Sequence, residues 1–353
     1  MSCERGQAPR VELAISLCDP QHTYAPNAAI MLSMALRHTA AAVRVHILHD
    51  ETLVADDQAR LARVVSNHGG EAIFHRVELP EEVRGLSSLR HITVGTLFRL
   101  FLPSVCADVD RILYLDIDVF VQMDLGGLYA ADLDGALAGV VLDVPQTRER
   151  DVAVRCYRRL GIDAAHYFNA GVLLLDCAAV RREMDLLGEG LHFLTVHRAL
   201  LFADQDALNA LFRGRVRFLD GRCNQQVDLA QPLPDGILDM SAILHFSGYL
   251  KPWSCAQPDI VARTLEELAR TPYGQALEDV AAYAARIPAS FNRRMDFKHC
   301  LLWRERGPAA FERVLCILKA VLPDATFRAV SAGLWHLRHR LRYDLPAPFG
   351  RNC

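Results

Sequence analysis

Short apolar runs alternate with amphipathic segments over the first eighty residues, and this alternation constrains the fold more than any other feature of the chain. The runs at 11–18, 43–49 and 72–79 are rich in branched side chains, which is typical of strands. The segments at 26–38 and 50–68 carry apolar residues at helical spacing. Strands that alternate with helices predict a parallel sheet covered on both faces, so we expect an α/β fold.

Length and charge limit the classes of function that remain. The 353 residues suffice for one large α/β domain or two smaller ones. Neither the dinucleotide-binding Gly-x-Gly-x-x-Gly after the first strand nor a P-loop is present. The net charge of −3 gives no strong attraction to nucleic acid, which we exclude as a partner.

The cysteines and the N-terminus indicate a compartment. The 10 cysteines are scattered and include no Cys-x-x-Cys pair, so we interpret them as reduced and mostly buried thiols. Residues 1–10 are polar and lack the apolar core of a secretory signal. No stretch reaches the roughly 20 apolar residues of a spanning helix. We therefore expect a cytoplasmic protein.

Two carboxylates interrupt a strongly apolar segment at 113–121, which reads Leu-Tyr-Leu-Asp-Ile-Asp-Val-Phe-Val. On a strand, Asp116 and Asp118 would point to the same side, where two like charges are costly unless a partner neutralises them. A divalent cation is the simplest partner for carboxylate oxygens. The alternative is that the strand has already ended and both residues lie in a solvated turn. The apolar residues on both sides argue against that turn.

A buried-looking arginine precedes these carboxylates. Residues 89–103 predict a helix with Thr93 as its N-cap and Pro103 as its end. Arg99 lies among apolar residues of this helix. It is either a surface arginine whose stem covers apolar side chains, or a group that faces a phosphate or a carboxylate.

Further polar residues are expected where strands end. Asp143 lies near the end of the apolar run 136–144, and open α/β sheets bind ligands at the carboxyl ends of strands. Asn169 and Gly171 interrupt the apolar run 167–176, which indicates a close backbone approach or a bound ligand.

Two later segments also carry polar groups that need an explanation. Asp204 opens a helix that runs to about residue 213, and it is either a simple N-cap or a functional group; a cap does not explain Gln205. A short strand places His245 before a glycine-containing turn and Lys251. A single histidine in an apolar strand is more often a core residue than a ligand.

These motifs, in this order, resemble glycosyltransferase family 8, the retaining nucleotide-sugar transferases, and within it the bacterial lipopolysaccharide galactosyl- and glucosyltransferases. The resemblance covers about residues 11–270. The matching segments are Leu-Arg-His-Ile at 89–92, Arg99, Tyr-Leu-Asp-Ile-Asp at 114–118, Asp143, Phe-Asn-Ala-Gly-Val at 168–172, Asp-Gln-Asp-Ala-Leu-Asn at 204–209 and His-Phe-Ser-Gly-x-x-Lys-Pro-Trp at 245–253. It implies a GT-A fold, which is a single Rossmann-like and mostly parallel sheet flanked by helices.

The resemblance also implies roles for individual residues. Asp116, Asp118 and His245 would hold Mn²⁺, or Mg²⁺, on the donor diphosphate. The residues at positions that contact the donor sugar, and that we group as catalytic, are Gln205, Asp204, Asp143 and Asn169. The residues at positions that contact the rest of the donor are Asp19, Tyr24, His91, Arg99, Ile117, Gly248 and Lys251. The loop 19–24 departs in spacing from the family pattern, so uridine as the base is an expectation that this loop leaves open.

The function implied is transfer of galactose or glucose from a UDP-sugar to a glycan acceptor, the lipopolysaccharide core, with retention of anomeric configuration. No carboxylate nucleophile stands at Gln205, which favours same-face attack with the departing phosphate accepting the proton of the acceptor. Two alternatives are a metal-dependent nucleotide-sugar hydrolase and an inactive transferase kept as a glycan-binding or scaffold module. The intact motifs count against the inactive module.

The C-terminal end differs in charge from the rest. Residues 291–353 contain 12 Lys and Arg against 5 Asp and Glu, interleaved with apolar and aromatic residues. We expect a catalytic domain at 11–270 and a helical extension at 271–353 that docks on an anionic membrane surface. The protein would then be peripheral on the inner face of the cytoplasmic membrane, beside a lipid-linked glycan acceptor. The alternative is a pair of helices packed on the catalytic domain.

Overall fold

A seven-stranded sheet in the order β3-β2-β1-β4-β7-β6-β8 organises the structure, a computed structural model. Its strands are β1 Val11–Leu17, β2 Val43–His49, β3 Glu71–Arg76, β4 Arg111–Leu115, β6 Ala138–Leu142, β7 Phe168–Asp176 and β8 Val216–Phe218. Strand β7 runs antiparallel to both of its neighbours, and the other pairs are parallel. The predicted mostly parallel α/β fold is confirmed.

The structure describes residues 10–84, 94–143, 160–162, 164–197, 200, 202–229, 231–248, 250–255, 257–275 and 283. All of them belong to one compact unit. The sequence also predicts helices at 151–162 and 272–287. The first lies mostly outside these ranges, the second lies outside them apart from residues 272–275 and 283, and the basic segment 291–353 lies wholly outside them.

Helices cover both faces of the sheet. Within the described ranges the α-helices are α1 Tyr24–His38, α2 Ala55–Asn67, α3 Glu81–Arg84, α4 Leu102–Val105, α5 Leu125–Tyr129, α6 Cys177–Glu183, α7 Leu186–Val196, α8 Asp204–Leu211 and α9 Pro258–Ala269. Because successive strand residues point to opposite faces, Leu13 and Ile15 enter a core with α1, α2, α5 and α9, whereas Ala14 enters a second core with α4 and α6 to α8. The apolar strands are therefore buried on both faces, as parallel strands usually are.

A smaller sheet of three strands, in the order β5-β10-β9, was not predicted. Its strands are β5 Val119–Val121, β9 Gln225–Gln226 and β10 Ile243–His245. Strand β10 lies between the other two, antiparallel to β5 and parallel to β9. The chain passes from the large sheet to the small one between β4 and β5.

The segment that contains Arg99 differs from its prediction. Val94–Phe101 forms a 3₁₀-helix, and α4 continues beyond Pro103 to Val105, so Pro103 does not end the helix. Pro103 lies in the first turn of α4, where a missing N–H group costs no hydrogen bond. The proposed cap, Thr93, lies outside the described residues.

Two further observations concern the helices and the cysteines. Among the described residues, no helix is long and apolar enough to cross a membrane. Five described cysteines are free thiols, of which Cys106, Cys177, Cys223 and Cys255 are buried and Cys18 is half-buried.

Candidate functional site

Asp116 and Asp118 lie in the bend where the chain leaves the large sheet and enters the small one. The N–H of Asp116 still donates to the carbonyl of Gly171 on β7 (2.8 Å), and the carbonyl of Asp118 accepts from the N–H of Phe246 beyond β10 (3.0 Å). One continuous strand over 113–121 is therefore wrong. Both apolar flanks are buried strands, but they belong to different sheets, which a run of apolar residues does not reveal.

The carboxylates are nevertheless not in a solvated turn. The side chains of Asp116 and Asp118 are only 25% and 14% exposed, and that of His245 is 3% exposed. His245 Nε2 lies 3.3 Å from Asp118 Oδ1 and 4.0 Å from Asp116 Oδ2. One ligand atom from each of the three residues lies within 4.8 Å of the other two. The geometry brings together the three side chains that the sequence predicted as metal ligands.

Asp118 is the residue of this group that most needs a further partner. Its Oδ2 accepts from Lys251 Nζ (2.5 Å), but Oδ1 is buried and accepts no hydrogen bond from the described residues. Burial alone would raise the pKa of the Asp118 carboxyl, but the ammonium group of Lys251 holds it well below its usual range. A buried, ionised oxygen without a donor fits a bound cation.

Asn224, which the sequence reading missed, fixes which nitrogen of His245 faces this group. The backbone N–H of Gly171 donates to Asn169 Oδ1 (2.9 Å), so that atom is an oxygen that accepts. Asn224 Nδ2 therefore donates to it (2.9 Å) and turns Asn224 Oδ1 towards His245 Nδ1 (2.9 Å). The proton of His245 is then on Nδ1, and the lone pair of Nε2 points to Asp118. The segment 221–226 offered no motif, so only tertiary contact could have found Asn224.

The backbone of β7 forms one wall of the cluster. A Cβ placed on Gly171 would overlap His245 Cε1 and would lie 2.8 Å from both His245 Nδ1 and Asp116 Oδ2. The predicted close approach at Gly171 is confirmed, with side chains of this protein as the approaching groups. The strand is not interrupted there, because β7 runs without a break through Asn169 and Gly171.

Arg99 is a core residue of the site and not a surface arginine. It is 3% exposed, donates from Nη2 to Asp116 Oδ1 (2.8 Å), and pairs through Nε with Asp204 Oδ2 (3.1 Å). Its guanidinium lies 4.6 Å from the ring centroid of Tyr114, whose hydroxyl also donates to Asp116 Oδ1 (2.8 Å). Arg99 thus orients the carboxylate of Asp116. Of the two alternatives for Arg99, the structure supports the one in which it faces a carboxylate.

Asp204 is buried at the start of α8, where Ala203 occupies the N-cap position without a side-chain cap. The simple N-cap reading of Asp204 is therefore wrong. Burial raises the pKa of the Asp204 carboxyl to about 6, since the guanidinium of Arg99 is shared with the like-charged Asp116.

This pKa predicts a pH-dependent stability that Asp204→Asn should remove. A carboxyl whose pKa rises from about 3.9 in the unfolded chain to about 6 in the folded one contributes stability below about pH 4, which is lost as pH rises through 6. Relative to Asp204→Asn, the free energy of unfolding of the wild type should fall by about 2 kcal/mol between pH 4 and pH 7. Urea unfolding of both proteins across this range measures the difference. Parallel curves would contradict the assignment.

Hydrogen bonds fix both the oxygen and the nitrogen of the Gln205 side-chain amide. Its Oε1 accepts from the N–H of Ala170 (2.9 Å), and its Nε2 donates to Asp143 Oδ2 (3.0 Å) and to the hydroxyl of Tyr167 (3.2 Å). Both amide hydrogens are committed, so the free hydrogen-bonding capacity of Gln205 is the second lone pair of Oε1. Burial raises the pKa of the Asp143 carboxyl, against the hydrogen bond from Gln205. Gln205, Asp143 and Asn169 therefore form one polar wall beside β7.

The other residues predicted to contact the nucleotide-sugar donor are more scattered in the structure. The buried Asp19 accepts from the N–H groups of Thr23, Tyr24 and Ala25 (2.7–2.9 Å), so its carboxylate holds the start of α1. The ring of Tyr24 contacts Trp253 edge-on, with 6.0 Å between centroids. Ile117 is half-buried between the two carboxylates and Gly248 is half-buried in the turn before Lys251, whereas His91 lies outside the described residues.

The family model described as glycosyl transferase family 8 matches residues 17–256, which is more than half of the chain. The chain belongs to glycosyl transferase family 8. Every residue of the cluster lies inside the matched range. The family predicted from the motifs is thus confirmed.

Similar proteins place this member of family 8 near bacterial transferases. It is 31% identical to the lipopolysaccharide 1,2-glucosyltransferase of Escherichia coli, over 44% of this chain and 48% of that protein. It is 24% identical to the lipopolysaccharide 1,3-galactosyltransferase of Salmonella typhimurium, over 63% of this chain and 67% of that protein. The chain thus spans about half the length of the first of these two relatives.

A solved structure supports the fold. The crystal structure of the galactosyltransferase LgtC in complex with donor and acceptor sugar analogues matches with a TM-score of 0.60 and 26% identity, over 74% of this chain and 96% of that chain. The GT-A fold predicted for this family 8 protein is therefore confirmed.

Proposed function

We propose that this protein is a metal-dependent retaining hexosyltransferase that moves galactose or glucose from a UDP-sugar to a glycan acceptor of the lipopolysaccharide core. The observation that carries the proposal is the buried Asp118 Oδ1, which accepts no hydrogen bond within the described part of the chain and lies close to Asp116 and His245, beside the polar wall of Gln205. Membership in family 8 and similarity to lipopolysaccharide glucosyl- and galactosyltransferases support the transferase class.

The donor set suits a divalent cation. Two carboxylates and one imidazole nitrogen with its lone pair turned inwards are ligands that manganese accepts, and magnesium would use the oxygens. Asp116, Asp118 and His245 would hold such a cation, which would supply positive charge to the diphosphate leaving group. Arg99 and Tyr114 hold Asp116 in place, and Asn224 holds His245. Lys251 Nζ donates to Asp118 Oδ2 and to the carbonyl of Phe246 in this structure. Its ammonium group would also donate to a phosphate oxygen of the bound sugar nucleotide.

The polar wall suits the sugar of the donor. Gln205 would present Oε1 to the reacting sugar, while Asp143 and Asn169 accept from or donate to its hydroxyls. The carboxylates next to Gln205 are committed: Asp204 to Arg99, and Asp143 to the amide of Gln205. This supports retention by same-face attack, in which the departing phosphate oxygen takes the proton of the acceptor hydroxyl, over a covalent intermediate on a carboxylate.

The nucleoside would lie at the carboxyl ends of the first strands. A cavity of about 130 Å³ there is lined by Cys18, Asp50, Val77, Leu79, Val94 and Phe98. This volume is well below the roughly 300–1,000 Å³ of sites for complete small ligands, so the cavity would hold at most part of the nucleoside. Asp19 would act through the loop that it holds, since its carboxylate is buried and already accepts three N–H groups.

The experiment is release of UDP from a panel of sugar nucleotides, with and without a lipopolysaccharide-core acceptor and with and without Mn²⁺. Release that needs both acceptor and cation, together with a glycosylated product of retained configuration, is expected. Equal release without acceptor would establish the hydrolase. Failure with every donor, by a protein that still binds glycan, would establish an inactive binding module. The same panel decides between galactose and glucose.

Asn224 gives a prediction about the cation that does not depend on turnover. Asn224→Ala removes the acceptor of His245 Nδ1–H and should lower Mn²⁺ affinity by about 10- to 100-fold, as loss of groups that orient a metal ligand does. Asn224→Asp keeps an acceptor for that N–H and should lose less. Calorimetric Mn²⁺ titration of the folded variants measures both. Equal affinity in Asn224→Ala and wild type would remove Asn224 from this role.

We also propose that the basic C-terminal end docks the protein on an anionic membrane, where a lipid-linked acceptor lies. Its excess of basic over acidic residues supports this, because each basic residue near such a surface contributes roughly 1 kcal/mol. Truncation after Pro288 should leave a folded protein that cleaves its sugar nucleotide but no longer sediments with anionic vesicles. Unfolded protein would favour helices packed on the catalytic domain. Unchanged sedimentation would exclude this segment as the anchor.

A further inference from the structure

A second group of metal-ligating side chains lies between β2, β3 and the end of α4, and it shares no residue with the Asp116 cluster. His46, His75 and Cys106 each offer one ligand atom, and the three atoms lie within 4.8 Å of one another. His46 Nδ1 is 3.0 Å from His75 Nε2, and Cys106 Sγ is 3.5 Å and 3.9 Å from these two nitrogens. The proposed glycosyl transfer uses none of them.

A carboxylate orients the first histidine of this group. His46 Nε2 lies 2.9 Å from Glu12 Oε2, and Glu12 also pairs with Arg10 (3.0 Å) and Arg44 (3.2 Å). A carboxylate held by two guanidinium groups accepts, so the proton of His46 is on Nε2 and the lone pair of Nδ1 faces the cluster. A histidine that donates its other N–H to a carboxylate is the usual arrangement around protein-bound zinc.

The distances are close to the edges of a zinc tetrahedron. With Zn–N of about 2.0–2.1 Å and Zn–S of about 2.3 Å, tetrahedral angles separate two nitrogens by about 3.3 Å and nitrogen from sulfur by about 3.6 Å. The observed separations are 3.0, 3.5 and 3.9 Å. Without metal, the proton on His75 Nε2 lies between the two rings, in the hydrogen bond to His46 Nδ1. A cation could take the place of this proton if the distance between the two nitrogens increased by about 0.3 Å.

We propose that His46, His75 and Cys106 bind a zinc-type cation, with water in the fourth position. Imidazole and thiolate are ligands that zinc prefers, whereas the carboxylate-rich Asp116 cluster suits manganese or magnesium. Binding requires that Cys106 lose its proton to solvent and that the proton of His75 move to Nδ1, so one proton is released for each cation. His46 and Cys106 are buried and His75 is half-buried, so the cation enters from the side of β3.

The site would cross-link three elements that are separated in sequence. His46 is on β2, His75 is on the edge strand β3, and Cys106 is the C-cap of α4. A cation bound by all three holds the edge of the sheet to the helix that follows Arg99. Because it binds the folded chain only, it should raise the melting temperature with increasing zinc concentration.

The test is titration of the untagged, full-length, chelator-treated protein with Co²⁺ as a spectroscopic substitute for zinc. The wild type should develop thiolate-to-cobalt charge-transfer absorption with one equivalent and release about one proton per cation. Cys106→Ser and His75→Gln should each lower the affinity at least 100-fold, as loss of a direct ligand must exceed the 10- to 100-fold of an orienting group. Cys255→Ser, another buried free thiol, is the matched control and should keep the absorption.

One further variant distinguishes cation binding at His46, His75 and Cys106 from cation binding at the Asp116 cluster. Asp118→Asn should keep the thiolate absorption whatever its effect on transfer, so failure of this inference and failure of the proposed transferase are distinguishable. Circular dichroism checks that each variant is folded. If Cys106→Ser is unfolded, the His75→Gln variant provides the test of the site, because His75 is half-buried on an edge strand and its substitution should be tolerated. Absence of the absorption in wild type would show a hydrogen-bonded cluster without metal. Its survival in the folded His75→Gln variant would show that the thiolate binds the cation without His75, which would overturn the three-ligand site.

Discussion

Asp118→Asn should bind Mn²⁺ at least about 100-fold more weakly than the wild type and transfer its sugar about 1,000-fold more slowly, because it removes a buried negative ligand and leaves the shape of the side chain unchanged. The buried Oδ1 accepts nothing from the described residues, so its replacement breaks no internal hydrogen bond at that atom. Lys251 loses its ion pair with Asp118 but still donates to the carbonyl of Phe246, and at 22% exposure it can also be solvated. Calorimetric Mn²⁺ titration and UDP release measure the two effects.

The matched control for this variant is Asp110→Asn. Its carboxylate is 88% exposed just before β4, so the substitution removes the same charge from the same part of the chain without touching the site. It should change neither Mn²⁺ affinity nor transfer, since exposed ion pairs contribute little. Wild-type Mn²⁺ affinity in folded Asp118→Asn would exclude this carboxylate as a ligand.

Gly171→Ala should disrupt the same site through a single methyl group. The added Cβ would overlap His245 Cε1 and would lie 2.8 Å from Asp116 Oδ2, and His245 is 3% exposed within a packed strand. We expect a loss of about 1–3 kcal/mol in the free energy of unfolding. Displacement of His245 should also lower Mn²⁺ affinity as much as His245→Ala does. Urea unfolding and Mn²⁺ titration test both.

Two further variants separate the steric effect from a general effect of alanine. Gly127→Ala, in α5, places a Cβ where no atom lies within 4 Å, and it should be neutral or stabilising because alanine favours a helix. The double variant Gly171→Ala/His245→Ala should be about as stable as His245→Ala alone, since the overlapping ring is gone. Additive losses in the double variant would show that the contact of the methyl group with Asp116, or with the backbone, causes the loss and that the contact with His245 does not.

The residues of the candidate site were predictable where the chemistry demanded a residue type. Two carboxylates two positions apart in an apolar segment required a partner, whatever the backbone did between them. The orienting residue Asn224 was not predictable, because its role depends on a hydrogen-bond chain from Gly171 through Asn169 that crosses three separate segments. The same holds for Glu12, His46, His75 and Cys106, whose spacing in sequence exceeds any local motif.

The sequence by itself determined the α/β class, the edge of the sheet at which polar groups collect, and the two carboxylates Asp116 and Asp118 that we propose as cation ligands, because period-2 and period-3.6 patterns and the need of paired carboxylates for a partner are local properties of the chain. Only the tertiary structure decided that the segment with Asp116 and Asp118 is a crossing between two sheets, that Arg99 is shared by Asp116 and Asp204, and that Asp19 holds the start of α1. These outcomes depend on which buried groups meet across the fold, and a buried charge takes whichever partner packing brings to it.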